Sequence, residues 1–130
     1  MSEIALLITA LLFGGMVLYS FGFAAFVFKA LPADTAGLLI RQAFPHFYLF
    51  VLITSGTAAF LTFFADQASS LILTLIAATT VFARQVLMPA INDATDSGAT
   101  SRFRKLHSLS VIIMLAHTGG AAFVILRMVG

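Results

Sequence analysis

From Ile4 to Phe28 the sequence runs IALLITALLFGGMVLYSFGFAAFVF, 25 residues without one Lys, Arg, Asp or Glu. A bilayer core about 30 Å thick takes about 20 apolar residues as a helix. In lipid every backbone amide and carbonyl must be bonded internally, which leaves helices or a closed barrel. A barrel strand would be about 10 residues of strict alternation, and this run is too long and too continuously apolar for that. It reads as a transmembrane helix.

The rest of the chain repeats the pattern. Gln42–Ala65, Gln67–Ala83 and Leu106–Leu126 also lack these four residue types, and the third run resumes beyond Arg84. The spacing predicts four helices, at about 4–28, 38–64, 70–91 and 103–128. Leu31-Pro32-Ala33-Asp34 ends the first, because proline lacks an amide donor and restrains its neighbour. Asp66-Gln67-Ala68-Ser69-Ser70 makes a short turn, with Ser69 or Ser70 as N-cap. Asn92–Ser101 makes the longest loop, and Asn92 itself reads as a helix C-cap. Connections this short force an all-α, up-down-up-down four-helix bundle in the membrane. The chain, 1–130, reads as a single transmembrane domain. Only Glu3 is charged before Lys29, so the first span lacks the basic flank of a signal peptide and reads as retained.

Composition agrees. Of 130 residues 61% are hydrophobic and 9% charged, against about a quarter charged in soluble domains. That excludes disorder, nucleic-acid binding and an ordinary cytosolic enzyme. With no cysteine, disulfides and thiolate chemistry are excluded too. Lys29, Arg41, Arg102, Arg104 and Lys105 fall on one side of the four spans and Arg127 on the other. The positive-inside rule then puts the 1–2 and 3–4 loops in the cytoplasm and both termini outside, in an inner or plasma membrane. Arg102, Arg104 and Lys105 form a basic trio able to attract anionic lipid headgroups.

Small residues on the first helix (Ala10, Gly14, Ala24), the second (Ser55, Ala59) and the fourth (Ala116, Gly120) give weak packing signals. The polar residues within the spans carry more. Ionisable groups in a bilayer are costly and turn toward a bundle interior or a wet cavity. At 100° per residue His107, Ser110, Met114 and His117 share one face of the fourth helix. Gln42, His46 and Thr57 share one on the second, and Thr80, Arg84 and Ile91 one on the third. Turning all three inward concentrates polar groups in the cytoplasmic half. Arg84, the one ionised side chain deep in a span, needs a partner: Asp93, Asp96, a helix-end carbonyl or an anionic ligand. A long stem that reaches the interface is the plainer alternative. The candidate binding residues are Arg84, His107, Ser110, His46, His117 and Asn92.

Several ordered elements resemble the transmembrane protein 205-like family, whose domain has no assigned function. They are the Gly-rich first helix ending in FKALPAD (28–34), AGLLIRQAFP (36–45), Ala83-Arg84 with Pro89 and Asn92 downstream, and FRKLHSLS (103–110). The positions this resemblance carries over are Pro45, Arg84, Pro89, His107 and Ser110. His46 and His117 match no motif of the family, and the loop between the third and fourth helices is shorter here than in animal relatives. The resemblance implies a fold and supplies no reaction.

No span contains a carboxylate, and no nucleophile–base set is assembled. The preferred reading is therefore a non-enzymatic bundle that binds a ligand, lipid or membrane partner through the polar stripe. Its surroundings are the lipid bilayer, with a homo-oligomer or larger complex left open. The alternatives are a redox protein holding haem b between histidines and a transporter of a small solute or soft metal, with Met114 and His117 as donors.

Overall fold

The computed structural model describes residues 2–130. Four helices, Glu3–Ala30, Ala33–Thr62, Gln67–Asp96 and Thr100–Val129, are each long and apolar enough to cross a membrane. They are called the first to fourth helices below. No strand occurs among the described residues. Each helix packs on its neighbour in the chain, and the fourth closes the ring against the first. The protein is an all-α, multi-pass membrane bundle.

Its exterior is that of a protein in lipid. Phe64 is 93% exposed and Phe60 77%, and large apolar side chains line the outside of every span. The core is thin by comparison. Leu12 and Met16 meet Phe47, Val51 and Ala58 of the second helix, Leu73 and Ile76 of the third, and Ala121 and Val124 of the fourth. Where lipid replaces water, close packing of small groups substitutes for the hydrophobic drive. Gly15 shows this most sharply: a Cβ there would stand 2.6 Å from the Phe50 ring. The small stripe expected on the first helix faces the other way. Ala10 and Gly14 are exposed, and the buried face is Ala5, Thr9, Leu12 and Met16.

The helices run longer than the apolar runs suggest. The third begins at Gln67, and its N-cap is Asp66, not Ser69 or Ser70. The Asp66 carboxylate accepts from the Ser69 amide and hydroxyl, so the better anionic acceptor takes the cap. Ser70 instead donates across to the Ala59 carbonyl at 2.8 Å. The same helix continues to Asp96, so Asn92 lies inside it and is not a C-cap. It ends at Gly98, whose φ of +71° allows the Ala99 amide to reach the Ala94 carbonyl and the Gly98 amide to reach the Thr95 carbonyl. That is the bonding of a glycine-terminated helix.

Two wide turns interrupt the spans. The first helix is π-helical over Leu18–Phe23, and the third over Ala83–Leu87. In the third, the Met88 amide bonds the Ala83 carbonyl five residues back. Pro89 follows at once and has no amide to give. Single π turns of this kind often mark functional positions.

Candidate functional site

The Ser2–Val17 half of the first helix packs on both the second and the fourth helices, whereas its Ala24–Ala30 half packs on the second. Beyond the third helix's wide turn, Met88–Asp96 packs on the fourth helix. The bundle therefore separates at its basic end into two hairpins, with a cleft of about 720 Å³ between them. All four helices line it. Phe21 and Phe28 of the first helix and Val111 and Leu115 of the fourth lie on its wall and are also exposed. Part of the cleft wall is therefore at the outer, apolar surface of the bundle.

The polar groups on its wall are Ser20, Asp34, Arg41, Tyr48, Asn92, Thr95, Asp96, His107 and Ser110. Arg41 reaches between the hairpins to Asp96, at 2.9 and 3.3 Å to its two carboxylate oxygens, and to the Asn92 carbonyl at 3.4 Å. The two-pronged geometry suits a planar guanidinium on a carboxylate. His107 stacks on Phe103, with ring centres 5.5 Å apart. Ser110 turns its hydroxyl back to the His107 carbonyl at 2.7 Å. Ser20 behaves differently. Most other span hydroxyls donate to a carbonyl of the preceding turn, as Thr9, Thr54, Ser55, Thr62, Thr80 and Thr118 do. The Ser20 Oγ is sequestered on the wide turn and bonds nothing.

Arg84 does not line this cleft. Its Nε donates to the Pro45 carbonyl at 3.2 Å, and its Nη1 to the Gln85 side-chain oxygen at 2.8 Å. Asp93 and Asp96, expected as its partners, are taken by Arg102 and Arg41. Because the third helix runs to Asp96, Arg84 stands about 18 Å from that end. It spans the interface between the second and third helices.

The three histidines occupy three environments. His107 is on the cleft wall. His46 is exposed on the second helix, as are Gln42 and Thr57. That polar stripe faces outward because Phe44, Phe47, Tyr48 and Val51 claim the opposite face for the core and its aromatic cluster. Tyr19 stacks on Phe47 there at 4.5 Å. His117 is 5% exposed, within the core. Its Nε2 meets the Thr79 hydroxyl at 2.5 Å, while that hydroxyl donates to the Leu75 carbonyl at 2.7 Å. Nδ1 is left with no partner. No three metal-ligating side chains come together among the described residues. The basic trio is exposed at the mouth of the bundle, with Arg102 on Asp93 at 3.2 Å.

A family model described as a domain of unknown function, DUF4149, matches residues 7–100. The chain belongs to the DUF4149 family. No curated protein and no solved structure matches the chain. The DUF4149 match takes in the first three helices, with Ser20, Arg41, Tyr48, Arg84 and Asn92. His107, Ser110 and His117 lie beyond it.

Sequence reasoning passed over Ser20, Arg41 and Tyr48 as site residues. A serine two residues before Gly22 in a phenylalanine-rich span was a usable signal for the first. Arg41 reads from sequence only as a topology marker, since its partner lies 55 positions away.

Proposed function

We propose that the protein is a non-enzymatic membrane bundle, acting as one domain over 1–130, that holds a membrane-derived ligand in the cleft between its two hairpins. The observation that carries this reading is the cleft itself: about 720 Å³, within the usual range of about 300–1,000 Å³ for ligand sites. It is mostly apolar, with a few convergent polar groups, and part of its wall lies at the bundle's apolar surface. His107 and Ser110 on the fourth helix and Asn92 on the third form the polar wall. Arg84 supports the site by tying the third helix to Pro45. The basic end faces the cytoplasm of an inner or plasma membrane, with both termini outside, by the lysine and arginine bias. Arg102, Arg104 and Lys105 meet anionic headgroups there.

The ordered elements around Pro45, Arg84, Pro89, His107 and Ser110 support a relation to the transmembrane protein 205-like family within this reading. A haem held by two histidines finds less support, because only His107 lies on the cleft wall.

The test is native mass spectrometry of protein released gently from membranes. Wild type retains a small-molecule adduct, and His107→Ala loses most of it while keeping its thermal midpoint. An adduct unchanged by His107→Ala would refute this assignment of the site.

A further inference from the structure

Arg84 stands near the middle of the third helix. That helix, Gln67–Asp96, has 30 residues and is about 45 Å long. Arg84 is about 25 Å from its start and about 18 Å from its end. A hydrocarbon layer about 30 Å thick therefore encloses it wherever along the helix the layer lies. The stem does not carry the charge to an interface. Nε is held on the Pro45 carbonyl at 3.2 Å, and Pro45 is itself about 18 Å from the start of the second helix.

Nothing among the described residues neutralises this charge. Its two acceptors, the Pro45 carbonyl and the Gln85 side-chain oxygen, are both neutral. The five carboxylates, Glu3, Asp34, Asp66, Asp93 and Asp96, all lie at helix ends, and the last three face Arg127, Arg102 and Arg41. The guanidinium has about five N–H donors, and Nε and one on Nη1 are the ones in use. The surroundings are polar where lipid should lie. Gln85, which Nη1 meets at the surface, is exposed, and so are Gln42 and His46. At about 100° per residue Gln42, His46 and Leu49 fall on one side of Pro45, away from the core residues Phe47 and Tyr48. The outer face of the second and third helices thus carries an ionised group, two amides and an imidazole.

We infer that this face docks a transmembrane helix of another protein, one that carries an Asp or Glu within its span. A charge at this depth is costly and pairs with its opposite. The incoming carboxylate accepts from the unused Nη donors, a match to the planar guanidinium fork. Gln42, His46 and Gln85 add hydrogen bonds of the kind that join helices in lipid. A second copy of this chain does not fit, because it brings another Arg84 and no carboxylate at that depth. A lipid phosphate belongs at the edge of the layer, and the Pro45 contact holds the guanidinium away from it. Arg84 does not line the cleft, so this surface is separate from the ligand site proposed above.

The experiment places the full chain in phosphatidylcholine vesicles with a synthetic leucine–alanine transmembrane helix that has one Glu at its centre, or with a twin that has Gln there. Energy transfer between dyes on the two partners reads association. Wild type binds the Glu helix about tenfold more tightly than the Gln helix, as expected for one good polar pair in lipid. Arg84→Gln abolishes the preference. Arg84→Lys keeps the charge but loses the Nε donor, so it retains part of the preference while its thermal midpoint falls. A merely structural role would show no preference to retain. The chain has no cysteine, so an introduced one reports the face. Leu49→Cys cross-links under copper phenanthroline to a cysteine one turn from the Glu of the synthetic helix, and Phe123→Cys on the exposed side of the fourth helix does not. That mapping leaves Arg84 intact and decides the matter even where Arg84→Gln fails to fold.

Equal binding of the Glu and Gln helices overturns the inference. So does a Glu preference that Arg84→Gln keeps, or cross-linking at Phe123→Cys in place of Leu49→Cys. Self-association of the chain, or an anionic lipid adduct, that Arg84→Gln removes while the Glu helix shows no advantage assigns the face to a second copy or to lipid and overturns it as well.

Discussion

The Nε of Arg84 donates to the main-chain carbonyl of Pro45 at 3.2 Å, tying the wide turn of the third helix to the middle of the second. Both partners sit where proline alters a helix: Pro45 within the second, and Pro89 just past the π turn that carries Arg84. A hydrogen bond from a charged donor is worth about 1.5–3 kcal/mol. Arg84→Ala is expected to lower unfolding stability in detergent by about that amount. Arg84→Lys loses the Nε donor and recovers little of it. Thermal unfolding of the three proteins checks this, and equal midpoints would show that the stem merely lies along the interface.

Much of the fold was legible because the bilayer imposes so strong a pattern. The uncharged run Ile4–Phe28 could hardly be anything but a span, and Pro32 had to follow its end. Helix ends were less legible. Asn92–Asp96 is mostly polar, so hydropathy does not see that it stays helical. Gly98 was the signal for the true end. The inward turn of His46 failed for a related reason. A polar stripe predicts the buried face only when the opposite face has nothing better to bury, and Phe44, Phe47 and Tyr48 pack better than Gln42 and His46. The wide turn at Leu18–Phe23 and the reach of Arg41 to Asp96 are products of tertiary packing that no local spacing records.

Asp66 joins the other end of the bundle. Arg127 donates to its two oxygens at 3.1 and 2.9 Å, and with Ser69 this holds the Asp66 carboxyl well below the usual carboxylate range. A depressed folded-state pKa contributes stability that is fully present above the unfolded value, about 3.9, and is lost as pH falls through the folded value. Asp66→Asn should therefore lower the thermal midpoint at pH 7. The gap to wild type should persist down to about pH 4 and narrow only below it. A gap that closes between pH 7 and pH 5 would contradict the pairing.

Gly15 is the close contact of the first and second helices. A Cβ there would meet Phe50 atoms at 2.6 and 2.7 Å, so Gly15→Val overpacks the interface and should cost about 1–3 kcal/mol. Phe50→Leu should recover part of that loss in the double variant. Gly14→Ala meets nothing within 4 Å and should be neutral. Thermal midpoints of these variants decide the matter, and equal losses at Gly14 and Gly15 would contradict the packing described.

Gly98 closes the third helix with a positive φ. Gly98→Ala places a side chain in the left-handed region and should cost about 1–2 kcal/mol, with Gly98→Asn milder. If unfolding of Gly98→Ala matches wild type, the turn has another conformation in solution.

The central claim is that the cleft between the hairpins is occupied. The most direct measurement fills it: native mass spectra of wild type, Ala24→Trp on the cleft wall and Phe60→Trp on the lipid face. An adduct on wild type and Phe60→Trp, absent from a folded Ala24→Trp, is the predicted result. The same adducts on all three proteins would contradict the claim.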